Sequence, residues 1–217
     1  MKNVYSVVLS TDVIEKIDRL AYENGTNRSN MINQILADYV SYTTPEKRFR
    51  EIFDHMEEML GSMPSFKMLE PSDTMFSLRS ALAYKYNPTV KYSVELFRGE
   101  SGGVLGEMRV SMRTQNAGLL LYLMQFYRLW DRIERAYRGE TVSSAADGKY
   151  ARRLTLTARD GARFGGEIDV GRVIASYLHA FDRAMKSFFY ELETPEKASA
   201  DVETIYRQYL IENPILV

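Results

Sequence analysis

The sequence predicts an α+β protein: a short N-terminal strand-helix-helix segment, then a larger domain in which long helices pack on a small antiparallel sheet. Three observations predict it. One extended apolar run precedes two amphipathic helical patterns within the first forty residues. Apolar and polar residues alternate cleanly over 90–96 and 107–113, the mark of strands with one packed face. Two long segments, 116–138 and 169–192, carry apolar residues at helical spacing.

The elements follow in order. In VYSVVLS, Tyr5, Val7 and Leu9 fall on one face and Val4, Ser6 and Val8 on the other, giving a strand over 3–9. Ser10 or Thr11 offers a helix cap, with Asp12 and Glu15 near the positive end of the helix dipole. Val13, Ile14, Ile17, Leu20 and Ala21 make the first helical stripe, and Gly25 stands where a left-handed C-cap belongs. Asn27 starts a second helix with Met31, Ile32, Ile35, Leu36, Tyr39 and Val40 inward. A unit of this size cannot bury a core alone. Two copies solve that and also pair the lone strand, antiparallel across a two-fold axis.

The segment VVLS, IEKIDRLAYENG and NRSNMINQILADYV resembles the ribbon-helix-helix family of Arc, MetJ and CopG repressors over residues 2–42. The resemblance implies a homodimer formed through the N-terminal strand and a ribbon that enters the major groove of double-stranded DNA. It also implies base-facing Lys2, Val4, Ser6 and Val8, with Asn27, Arg28 and Ser29 at the phosphate-binding start of the second helix. Two of the outward positions are valines where the family favours long polar side chains. Either the ribbon reads DNA through apolar contacts and shape, or its outer face is covered by protein. The expected function is a sequence-specific transcriptional regulator, a repressor, acting as a dimer or higher oligomer. The alternative is a plasmid or phage interaction protein, a conjugation accessory factor or antitoxin, using the same DNA-binding module.

Thr44-Pro45-Glu46 is a helix-start signature and sets the boundary between a 1–43 DNA-binding domain and a 44–217 domain. The same TPEK recurs at 194–197 without shared flanks, as reused capping chemistry. The first helix of the larger domain, 45–60, buries Phe49, Ile52, Phe53, Met56 and Met59. Strands follow in MFSLRSALAYKY, VKYSVELF and GEMRVSMRT, then a helix over 116–138 with Leu119, Leu123, Phe126, Trp130, Ile133 and Tyr137 inward. KYARRLTLTAR, with ARFGGEI, suggests one more hairpin. Asp169 caps the next long helix, and a short helix near 199–211 closes the chain. This domain is expected to serve oligomerisation, an unidentified small effector or a protein partner.

Composition narrows function further. The formal net charge is −1; residues 1–43 carry four cations against five carboxylates, and the remainder is balanced. A nucleic-acid site must therefore be a local patch. Without cysteine there is no disulfide, thiolate nucleophile or thiolate metal site. No run of eighteen uncharged apolar residues exists, and no signal peptide opens the chain, so the cytoplasm is the expected address and a membrane is not an expected partner.

No cofactor, metal or catalytic constellation is expected. Gly99-Glu-Ser101-Gly-Gly103 matches the hydrolase elbow in letters only, because it joins two strands and the elbow needs a strand leading into a helix. His55 with Glu58 and His179 with Asp182 share helix faces, but two such pairs are thin support for a metal. A nickel-sensing member of the resembled family would need more histidines and a cysteine. Lys149, Arg152, Arg153, Arg159 and Arg163 either touch phosphates flanking the operator or form an ordinary solvated hairpin face.

Overall fold

One polar cap and one glycine shape the turn between the N-terminal helices. In a computed structural model that describes residues 6–40, 42–101, 103–139, 141–158 and 168–217, α1 spans Thr11–Glu23 and α2 Arg28–Tyr39. Ser10 holds the cap position of α1 in extended conformation, although its hydroxyl makes no capping bond. Gly25 turns the chain at φ +58°, a conformation that costs glycine little, and the N–H of Thr26 returns to the carbonyl of Ala21 at 2.8 Å. The Asn27 side chain then accepts the N–H of Asn30 at 3.0 Å and starts α2.

The strand expected over 3–9 is not present in its described part. Residues 6–10 adopt no regular element, and residues 1–5 lie outside the described residues. The physical reason is the absence of a ladder partner: among the described residues this unit contains no second strand, and strand hydrogen bonds cannot close within one. The chain divides into two compact units, Met1–Arg48 and Phe49–Val217; the sequence-based boundary at 43/44 falls a few residues earlier.

The larger unit is α+β, as expected. Its helices are α3 (Pro45–Gly61, beginning in the first unit), α4 (Ala117–Arg138), α5 (Val170–Tyr190) and α6 (Pro195–Glu212). Its strands are β1 (Phe66–Leu69), β2 (Met75–Ala81), β3 (Thr89–Ser101), β4 (Val104–Met112), β5 (Ser143–Ala146), β6 (Lys149–Thr155), β7 (Thr157–Ala158) and β8 (Ile215–Leu216). The first six form one antiparallel sheet in the order β1-β2-β3-β4-β6-β5, and β7 pairs with β8.

Register decides the two faces. Phe76, Leu78, Val90, Tyr92, Val94, Met108, Val110, Tyr150 and Leu154 fall on the inner face and are buried. Aromatic side chains join that face to the helices: Tyr150 stacks on Tyr127 of α4 and Phe181 of α5 at centroid distances of 5.2 and 5.4 Å. Trp130 meets Phe181 and Tyr206 edge-on at 5.1 Å each, tying α4 to α5 and α6. The expected stripes of α3, α4 and α5 are therefore core, with Tyr137 the exception: it is exposed, and its hydroxyl donates to Glu203 at 2.6 Å.

Several expectations need correction. β1 and β5 have no counterpart among the expected strands, because each is a four-residue edge strand without readable alternation. β6 lies between β4 and β5 and forms its hairpin with β5, through a turn at Asp147 (φ +50°) and Gly148 (φ +71°). ARFGGEI lies almost wholly outside the described residues. The last helix begins at Pro195 and is 18 residues long. The two TPEK segments cap differently: Thr44 accepts the N–H of Lys47 at 3.2 Å, whereas Thr194 donates to Glu191 at 3.0 Å.

Candidate nucleic-acid interface

The start of α2 is where sequence reasoning places a phosphate. Asn27 and Arg28 are exposed, and each directs polar atoms to a neighbour within the chain. The Asn27 oxygen is the helix cap. The Arg28 guanidinium makes a two-pronged pair with Asp18 of α1, Nε–Oδ1 at 2.6 Å and Nη2–Oδ2 at 2.5 Å. Hydrogen bonding from Arg28 holds the Asp18 carboxyl below its ordinary value. Among the described residues no acceptor reaches the N–H groups of Arg28 and Ser29, two of the donors that an α-helix leaves open at its start once the cap is made. Ser29 is exposed beside them. The anion-facing chemistry here thus rests on backbone N–H groups and the Ser29 hydroxyl, with Arg28 fixed by its carboxylate.

Of the outward strand positions, Ser6 is exposed, Val8 is 99% exposed, and Lys2 and Val4 lie outside the described residues. Val7, expected inward, is also exposed, as are Leu20, Ile35, Leu36, Tyr39 and Val40 of the two helical stripes. The packed cluster of this unit holds three buried residues, Ile17, Ala21 and Met31, with Leu9 and Ile32 against them.

The basic segment of the larger unit splits by strand alternation. Lys149 and Arg153 point outward and are exposed, and Arg159 and Arg163 lie outside the described residues. Arg152 is a correction to the flanking-phosphate reading: it shares the inner face with Tyr150 and Leu154 and is 2% exposed. Its Nε and Nη2 pair with Glu134 at 2.9 and 2.8 Å, its guanidinium lies 4.6 Å from the Tyr177 ring centroid, and Nη2 donates to the Val217 carbonyl at 2.8 Å. A guanidinium so enclosed cannot reach a phosphate.

Neither histidine meets the carboxylate three residues on. His55 pairs with Asp169 across to α5 at 2.9 Å, while Asp182 accepts from Tyr92 at 2.9 Å and Lys186 at 2.7 Å. Among the described residues no cluster of three His, Asp or Glu could hold a metal. The G-x-S-x-G letters form a hairpin: β3 runs to Ser101, β4 starts at Val104, and Gly103 takes φ +77°. Among the described residues no helix is long and apolar enough to cross a membrane.

His179 supports a pH prediction. Burial, reinforced by Arg183, holds its imidazole below the ordinary value of 6.5. The unfolded chain then binds the proton more tightly, so stability should fall as pH drops from 6.5 toward the folded value and stay unaffected above. Denaturant titrations of wild type and His179→Asn should run parallel above this window. Below it the wild type should lose more; equal losses would contradict the shift.

Comparison with protein-family models, with curated proteins and with solved structures finds no match for this chain.

Proposed function

We propose that this protein is a dimeric, sequence-specific DNA-binding regulator, a repressor, whose N-terminal unit is a ribbon-helix-helix module. The observation that carries the reading is the uncovered apolar surface of that unit. Four buried apolar residues, Ile17, Ala21, Met31 and Ala37, stand against at least six exposed ones, Val7, Leu20, Ile35, Leu36, Tyr39 and Val40, on the faces a second copy would cover. The same second copy supplies a strand for residues 3–9. The open N–H groups of Arg28 and Ser29 suit a backbone phosphate, and Ser6 and Val8 suit base edges and thymine methyls.

Sedimentation equilibrium at micromolar concentration should return the mass of two copies. Leu36→Glu should return one, because a carboxylate at an apolar seam costs several kcal/mol. Selection of bound fragments from genomic DNA should recover one palindromic sequence with wild type and lose it with Leu36→Glu, while Ser6→Ala changes the bases preferred. A single-copy mass for wild type, or identical random fragments from all three proteins, would defeat the reading.

A further inference from the structure

The outer face of the six-stranded sheet carries an arrangement that folding alone does not favour. Lys67 of β1 stands opposite Arg79 of β2, and Arg79 opposite Lys91 of β3, so three cations adjoin in one row across three strands. Lys91 is opposite Ser111 of β4, and Lys149 of β6, one residue before the partner of Val110, continues the line. All four cations are exposed. Like charges directly opposite destabilise a sheet, and no carboxylate pairs with this row among the described residues. The nearest acids on the face, Glu95 and Glu107, are both bound to Arg109, at 2.8 and 2.7 Å. With Arg109 and Arg153 the face holds six cations against those two carboxylates and Asp147 of the β5–β6 turn, in a chain whose formal net charge is −1.

The surface between the cations is small and hydroxylated. Ser93, Ser111 and Ser144 lie on it, Ser77 is buried with its hydroxyl 3.0 Å from that of Ser93, and a groove of 480 Å³, lined also by Met75, Asp147 and Ala151, runs past Lys91, Arg109, Ser111 and Lys149. A straight row of exposed cations suits the regularly spaced phosphates of a duplex; an acidic peptide anchored on the apolar floor of the groove is the alternative that comparison with polyglutamate tests. No aromatic ring stands along the row; the one exposed ring on these outer positions, Phe97, lies beyond Glu95. A single strand would lack its stacking platform. At about 4.8 Å between strands, the line from β1 to β6 covers about 19 Å, more than the ~12 Å width of a B-form major groove. It can therefore meet phosphates on both sides of a groove.

We propose that this sheet face is a second, sequence-independent binding surface for the phosphate backbone of duplex DNA, separate from the N-terminal unit. The test uses full-length protein, a 30-base-pair duplex of arbitrary sequence and fluorescence anisotropy across a salt series. Lys67→Gln/Arg79→Gln/Lys91→Gln should reduce the slope of log affinity against log salt by about 2–3, near 0.9 for each phosphate no longer neutralised. Lys149→Gln alone should reduce it by about 1. Arg79→Gln alone should leave the thermal midpoint unchanged or raise it, since a like-charge pair is relieved. The same differences should persist in a Leu36→Glu background, which separates this surface from the N-terminal reading. Unchanged slopes, no duplex binding by wild type, or tighter binding of polyglutamate or oligo-dT than of duplex would overturn the proposal.

Discussion

Replacing Glu134 with alanine is expected to lower stability by about 3–5 kcal/mol, the loss that follows when one partner of a buried ion pair is removed. Glu134 is fully buried, and both its oxygens serve Arg152, with Oε2 also accepting from the Tyr177 hydroxyl at 3.2 Å. Alanine leaves the Arg152 guanidinium enclosed with main-chain oxygens of Arg153 and Val217 as its remaining acceptors and without the two carboxylate oxygens of Glu134. For a protein of this size the midpoint should fall by about 6–20 °C. Trp130 reports it cleanly: it is the only tryptophan in the chain, and its Nε1 donates to Tyr177 at 2.9 Å, beside the pair. Replacing both partners, Glu134→Leu with Arg152→Met, should recover most of the loss, because an apolar pair removes both desolvation costs. A single variant as stable as wild type would mean that water or another acceptor reaches Arg152.

The second large effect is expected at Gly106, where Gly106→Ala should cost about 1–3 kcal/mol. A Cβ there would stand 2.1 Å from the backbone oxygen of Glu95 and 3.0 Å from the Leu96 Cα. Both contacts are main chain, so β3 itself must shift. The position lies where the pairing of β4 with β3 and with β6 becomes irregular. Glu95 and Glu107 flank it on the outer face, so the shift should also loosen their grip on Arg109. The thermal midpoint read at Trp130 and amide exchange over residues 94–97 should both register the change. An alanine variant with native midpoint and native exchange would show that the strands accommodate the methyl.

Arg152 is legible in the chain only to a reader who follows the alternation. Period-two spacing through Tyr150, Arg152 and Leu154 puts the arginine on the packed face, and Glu134 follows Trp130 by one helical turn on the buried side of α4. Both signals are present, yet the doublet Arg152-Arg153 reads at first as one surface patch. The cation row is not legible: Lys67, Arg79, Lys91 and Lys149 come from four strands, and only register brings them into line. Asn27 and Arg28 stand at the helix start that the sequence predicts and are exposed there, but each is engaged by a neighbour, Asn30 and Asp18, that the sequence reading did not assign.

The amino-acid sequence alone determined the helix starts at Ser10, Asn27, Thr44, Asn116 and Asp169, the buried stripes of α3, α4 and α5, and the alternation of β3 and β4, because each depends on contacts within a few residues. The tertiary structure decided strand order, the edge strands β1 and β5, the burial of Arg152 against Glu134, and the alignment of cations on the open sheet face. Those features depend on which distant segments meet. A side chain's chemistry is local, but its burial, charge partner and neighbours across a sheet belong to the pairing of whole elements.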